Sequence, residues 1–158
     1  MKKLLFTALL FVAAFYAGAQ TTKPILQSIG VKVYPGAITY KQYKTESVAK
    51  ELLAYFNEDG FRLTGLYEKH MPIPNAEGLE WYVGGGGHFG LWNKSWRLRN
   101  PPSTAVFAIG VDGVLGLDYK IPSAPLIISF DWQPSFNLVG HTYFEGGWGG
   151  LAVRYTFK

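Results

Sequence analysis

A period of two runs through the second half of this chain, and it dictates how the backbone can lie. Over residues 79–91 the odd positions are Leu79, Trp81, Val83, Gly85, Gly87, Phe89 and Leu91, and the even ones are Glu80, Tyr82, Gly84, Gly86, His88 and Gly90. Successive side chains of an extended strand point to opposite faces, so this order describes a strand with one apolar and one polar or small-residue face. Residues 107–119 repeat it, with Phe107, Ile109, Val111, Gly113, Leu115, Leu117 and Tyr119 set against Ala108, Gly110, Asp112, Val114, Gly116 and Asp118. Over residues 126–138 the apolar phase moves to even numbers, Leu126, Ile128, Phe130, Trp132, Phe136 and Leu138, against Ile127, Ser129, Asp131, Gln133, Ser135 and Asn137. The final segment sets Leu151, Val153, Tyr155 and Phe157 against Ala152, Arg154, Thr156 and Lys158. A helix repeats at 3.6 residues and cannot produce this pattern.

Upstream the alternation is less regular. Phe61, Leu63 and Tyr67 oppose Arg62, Thr64, Glu68 and His70, with Leu66 on the polar side; Ile29, Val31 and Val33 oppose Ser28, Gly30 and Lys32; Ile38 and Tyr40 oppose Thr39 and Lys41. Residues 49–56 also suit a short helix, but their position between strands makes a strand the expectation. With 19 Gly, 11 Phe, 10 Tyr and 5 Trp, the composition favours strands joined by tight turns.

Alternation alone fits a soluble sandwich as well as a barrel, so the choice depends on which face is the interior. The apolar face places Trp81, Trp132, Tyr119 and Tyr155 near strand ends, where an aromatic girdle would sit. The other face carries Lys32, Lys41, Arg62, Lys120 and Arg154 against Glu51, Glu68, Glu80, Asp112, Asp118 and Asp131, a near balance suited to ion pairs across a narrow lumen. The expected fold is therefore all-β: a closed antiparallel transmembrane β-barrel of about eight strands in an up-and-down meander, which leaves no open edge in lipid. An even number of strands puts both chain ends on the periplasmic side, with turns there near 45–46, 72–78 and 121–125. The outer connections then fall near 34–37, 57–60, 93–105 and 141–148, the last two being the longest.

Lys2 and Lys3, an apolar run from Leu4 to Tyr16 and the small residues Ala17-Gly18-Ala19 have the order of a secretory signal peptide. Residues 1–19 are read as that signal and 20–158 as the barrel domain, placing the chain in a bacterial outer membrane. The formal charge of +4 includes Lys2 and Lys3, and the small remainder gives no reason to expect a nucleic-acid partner. The chain has no cysteine, which excludes disulfides, a thiolate metal site and a cysteine-linked lipid anchor.

Several stretches resemble the small eight-stranded outer-membrane barrels of the OmpA/OmpX-like kind. They are Gly36-Ala-Ile-Thr-Tyr-Lys41, Leu63-Thr-Gly-Leu-Tyr-Glu68, Gly78-Leu-Glu-Trp-Tyr-Val-Gly-Gly-Gly-Gly-His-Phe-Gly90, Gly110-Val-Asp-Gly-Val-Leu-Gly-Leu-Asp-Tyr-Lys120, Asp131-Trp-Gln-Pro-Ser-Phe-Asn137 and Arg154-Tyr-Thr-Phe-Lys158. The resemblance implies a fold and a location and carries no established activity. It departs at the end, where Lys158 follows the aromatic Phe157 with which such barrels commonly finish, the residue that the barrel insertion machinery reads.

Gly84-Gly-Gly-Gly87 lacks the Lys-Ser/Thr of a phosphate loop and is read as a place of sharp strand coiling. Arg62, Glu68, Glu80, His88, Asp112, Asp118, Asp131 and Arg154 are read as an interior polar network. His70 and His88 fall on interior positions, whereas His141 lies in an outer loop with Glu145, near Ser95 and Ser103 of the other long loop. That grouping makes His141 the one candidate catalytic base of a lipid A-modifying acylase or acyltransferase, although no His-x-Ser pair accompanies it. Lys94, Trp96, Arg97 and Arg99 combine cations with an aromatic in the outer loop, a candidate contact for lipopolysaccharide phosphates. No metal or cofactor is expected. The first reading is a monomeric barrel, not an enzyme, with a structural or surface-interaction role and partners in outer-membrane lipid and lipopolysaccharide. The lipid A enzyme is the alternative and a narrow channel the third, since eight strands enclose only enough room for side chains.

Overall fold

A computed structural model describes residues 26–58, 60–94, 98, 106–140 and 142–157. Ten strand segments follow one another: β1 (Gln27–Lys32), β2 (Ala37–Thr45), β3 (Val48–Asn57), β4 (Gly60–Pro72), β5 (Leu79–Trp92), β6 (Phe107–Lys120), β7 (Leu126–Trp132), β8 (Ser135–Val139), β9 (Phe144–Glu145) and β10 (Gly149–Phe157). Each pairs antiparallel with its neighbours, and β1 also pairs with β10, from Gln27 opposite Phe157 to Lys32 opposite Ala152. That seam closes the sheet. β7 and β8 together form one stave and β9 and β10 another, so the ten segments make a closed eight-stranded antiparallel barrel.

Residues 49–56 lie inside β3, which pairs with β4 over its whole length and with β2 from Val48 to Tyr55. Strand pairing on both sides outweighs the helix propensity of Ala-Lys-Glu-Leu-Leu-Ala, as tertiary context does for a short segment. Connections at 46–47, 73–78 and 121–125 fall where turns were expected at the near end of the hairpins. Residues 73–78 turn with Asn75 at φ 63° and Gly78 at φ 79°, left-handed conformations that Asn and Gly accept with least cost.

Two staves contain breaks that the alternation did not reveal. At Gln133-Pro134, between β7 and β8, the proline ring has no N–H to give to the ladder, yet the Pro134 carbonyl accepts from Gly113 N at 2.8 Å and Gln133 N donates to Trp148 O at 2.9 Å. Opposite this point, residues 146–148 separate β9 from β10. Part of the expected loop over 141–148 is thus strand: Phe144 pairs with Phe136 and Glu145 with Ser135. Gly146 and Gly147 interrupt the period of two, and so hid β9. Trp132 is the last residue of β7 but stands in the middle of its stave, and its indole N–H donates to Gly146 O at 2.8 Å across the break.

Chain direction and pleat separate the two faces. Val31, Ile38, Phe89, Val111, Leu115, Phe130, Leu138, Val153 and Tyr155 are among the large apolar side chains exposed on the outward wall. Inward positions are buried and mostly polar. Gly86 shows why glycine is needed between them: a Cβ there would run into the backbone carbonyl of Gly65 and the Cα of Leu66 on β4, whereas a Cβ on Gly65 would meet open space. Gly86→Ala is therefore expected to destabilise the β4–β5 seam by about 1–3 kcal/mol, and Gly65→Ala to be silent. Urea unfolding of the refolded protein measures both; equal midpoints would contradict the close approach.

Candidate functional site

Charge inside the barrel is arranged in three tiers, each tying staves together across the lumen. The tier nearest the rim that carries Gln27 and Phe157, here the near rim, centres on Lys41 of β2. Its ammonium lies 2.8 Å from Glu68, 3.4 Å from Glu51 and 3.4 Å from Asp118, over the ring of Tyr82 at 4.2 Å. Arg154 of β10 completes the cluster. Its Nη2 is 2.6 Å from Glu51 and its Nη1 3.6 Å from Asp118, while Nε donates to Thr39 at 3.1 Å and Nη1 to Ser129. Thr39 in turn donates to Glu51 and Tyr43 to Asp118. All of these side chains are buried.

His70 stands at the edge of that tier, with its ring stacked on Tyr82 at 4.9 Å. Nε2 lies 3.1 Å from Glu68, and Nδ1 faces Glu80 at 3.5 Å and Asp118 at 3.8 Å. Glu80 also takes the ammonium of Lys120 at 2.7 Å, and this pair is the partly exposed one at the near rim.

The middle tier is smaller. Lys32 of β1 pairs with Asp131 of β7, which also accepts from the Tyr82 hydroxyl at 3.1 Å. The Tyr55 hydroxyl donates to Gln133 at 2.6 Å, and Gln133 Nε2 reaches Asp112 at 3.3 Å, linking this tier to the next.

The third tier lies towards the far rim. Arg62 of β4 bonds Asp112 of β6 and reaches Ser135 at 3.3 Å and Thr64 at 3.2 Å. Its guanidinium lies 4.2 Å from the centre of the Trp148 ring, which packs edge-on against Tyr55. His88 joins the same carboxylate, with Nδ1 2.8 Å from Asp112 and Nε2 2.7 Å from the Asn137 side-chain oxygen. Glu145 lies 3.8 Å from Arg62 with its side chain 30 % exposed, which makes it the carboxylate of this tier that reaches the mouth. Tyr143, in the connection after β8, donates to it at 3.3 Å; burial first, and the Glu145 carboxylate second, push that hydroxyl up to about 12.

The eight residues expected to form an interior network, Arg62, Glu68, Glu80, His88, Asp112, Asp118, Asp131 and Arg154, all face inward, divided among these tiers. Glu145 belongs to β9 and is engaged with Arg62 and Tyr143, where the sequence suggested a loop residue. His141 lies outside the described residues, as do Trp96, Arg97 and Arg99; Lys94 is described and exposed just beyond β5. Trp148 escaped the sequence reading because glycines surround it, and Tyr55 because residues 49–56 read ambiguously. Among the described residues no group of His, Asp or Glu side chains is arranged to hold a metal ion.

Chemically, the interior is a set of charges in which each cation is paired with at least one carboxylate. Lys41 is shared by three carboxylates and Arg154 by two carboxylates and two hydroxyls, so neither is free to meet a solute. No family model matches the sequence, and no curated protein matches it either.

Proposed function

We propose that the protein is an integral outer-membrane barrel with a structural or surface-interaction role, plugged by its own side chains. One observation carries the reading: the faces are inverted relative to a water-soluble barrel. Arg62, Arg154, Lys41, Glu68 and Asp118 are buried inside, while Val31, Phe130, Trp132 and Tyr155, each about half exposed or more, point outward. In water such a wall would be an apolar patch far larger than a soluble monomer keeps; in hydrocarbon it is the favoured surface, and the β1–β10 seam pairs the first strand with the last.

Strands of 13 and 14 residues in β4, β5 and β6 are long enough to cross a bilayer at a tilt. The signal-like residues 1–19 and the resemblance to small OmpA/OmpX-like barrels support the same location. The tiers of crossing ion pairs speak against solute diffusion, because a pore would require breaking several buried pairs at once. Loss of residues 1–19, recovery in the outer-membrane fraction and faster gel migration unheated than boiled are the expected results. Recovery as a soluble periplasmic protein would refute the proposal.

A further inference from the structure

The charge on the outward wall is gathered in one sector. Outward strand positions carry apolar, aromatic or glycine residues almost throughout, and among the described residues the charged exceptions are Lys44, Lys50 and Lys69. They occupy three adjacent strands. Lys50 of β3 pairs with Tyr67 and Lys69 of β4 with Val48, so the two lysines are diagonal neighbours with Tyr67 beside them. Lys44 sits at the bulge of β2, next to the Gln42–Lys50 pair. All three lie close to the near rim, where the other staves present Trp81, Tyr119 and Tyr155 instead.

None of these lysines pairs with a carboxylate among the described residues. The contrast with the lumen is sharp, for there every cation has an acidic partner. Like charges on neighbouring strands repel one another, and an apolar wall offers them nothing in return. An anion seated between them removes that repulsion.

We propose that Lys50 and Lys69, flanked by Lys44, bind the phosphate of an anionic glycerophospholipid in the leaflet at the near rim. This inference rests on reading the outward wall as lipid-facing. The lysine stems can lie along the wall with their ammonium groups turned to the interface, at the level of the aromatic belt where headgroups sit. The Tyr67 hydroxyl is placed to donate to the same headgroup, and Leu52 and Leu63 continue the wall beyond it for the acyl chains. Phospholipid is favoured over lipopolysaccharide because the start of β1 and the end of β10 both lie at this rim, the periplasmic side in barrels of even strand number.

The test uses the whole barrel in nanodiscs of phosphatidylcholine, alone or mixed with phosphatidylglycerol or with lipid A, with the lipids retained by the protein read by native mass spectrometry. Phosphatidylglycerol should be enriched around the wild type. Each of Lys50→Gln and Lys69→Gln should lower that enrichment about fivefold, as expected for one surface cation near an anionic headgroup, and Lys50→Arg with Lys69→Arg should keep it. Enrichment unaffected by the Gln changes, enrichment lost equally in the Arg variant, or a preference for lipid A at this patch would overturn the inference. Failure of the wild type to enter either disc would instead count against the membrane reading, so the two failures are distinct.

Discussion

Replacing Arg154 by Met is expected to cost the barrel on the order of 3–5 kcal/mol. The guanidinium is fully buried and serves Glu51, Asp118, Thr39 and Ser129 together. Methionine fills much of the volume but offers no donor, leaving three buried carboxylates, Glu51, Glu68 and Asp118, to share the single ammonium of Lys41. Removing one member of a buried ion network costs more than the network contributes as a whole, because the charge left behind keeps its desolvation penalty. Lys120→Met is the control: its pair with Glu80 is partly exposed and should be worth about 0–1 kcal/mol. Urea titrations in detergent micelles, followed by unheated gel mobility, compare the two. Equal midpoints would mean that the near-rim tier does not hold the staves together.

The second large effect concerns the outward wall. Leu115 lies near the middle of β6, about half exposed, between Val83 of β5 and Trp132 of β7. On the membrane reading, Leu115→Arg should impair insertion by about 2–4 kcal/mol, since a cation near mid-bilayer is costly on a barrel's lipid face. The same substitution on a water-facing wall would be almost neutral. Folded yield into lipid vesicles, compared with Leu115→Ala, measures the difference, and an Arg variant that folds as well as the Ala variant would argue for water outside the barrel.

The fold was legible because a two-residue period survives even where individual residues are ambiguous. Glu80, His88, Asp112, Asp118 and Arg154 could be assigned to the interior from parity alone, since each alternates with Trp, Val, Ile or Leu on the same strand. Which carboxylate meets which cation was not legible. Arg154 reaches Glu51 across the closed β1–β10 seam, and Arg62 reaches Asp112 across β5, through stave order and register rather than any local pattern. Parity also failed where glycines or a proline break the strand: Glu145 and Trp148 belong to the interior, but Gly146-Gly147 and the facing Gln133-Pro134 remove the signal that would have placed them.

That seam bears on how the molecule is made. The bonds that tie it are among the longest-range contacts in the chain: Lys32 with Asp131 across 99 residues, Arg154 with Glu51 across 103 and with Thr39 across 115. Until the last strand arrives, Glu51, Asp118 and Asp131 wait without a full set of partners, and neither a hairpin nor a half-sheet can bury them at low cost. Partial structures are thus held high in free energy, and assembly approaches an all-or-none event whose rate is limited by bringing the two ends of the chain together. A nascent chain stalled before β10 would be not a smaller barrel but an open sheet with charged side chains and two bare edges, a form suited to capture by a chaperone or a protease.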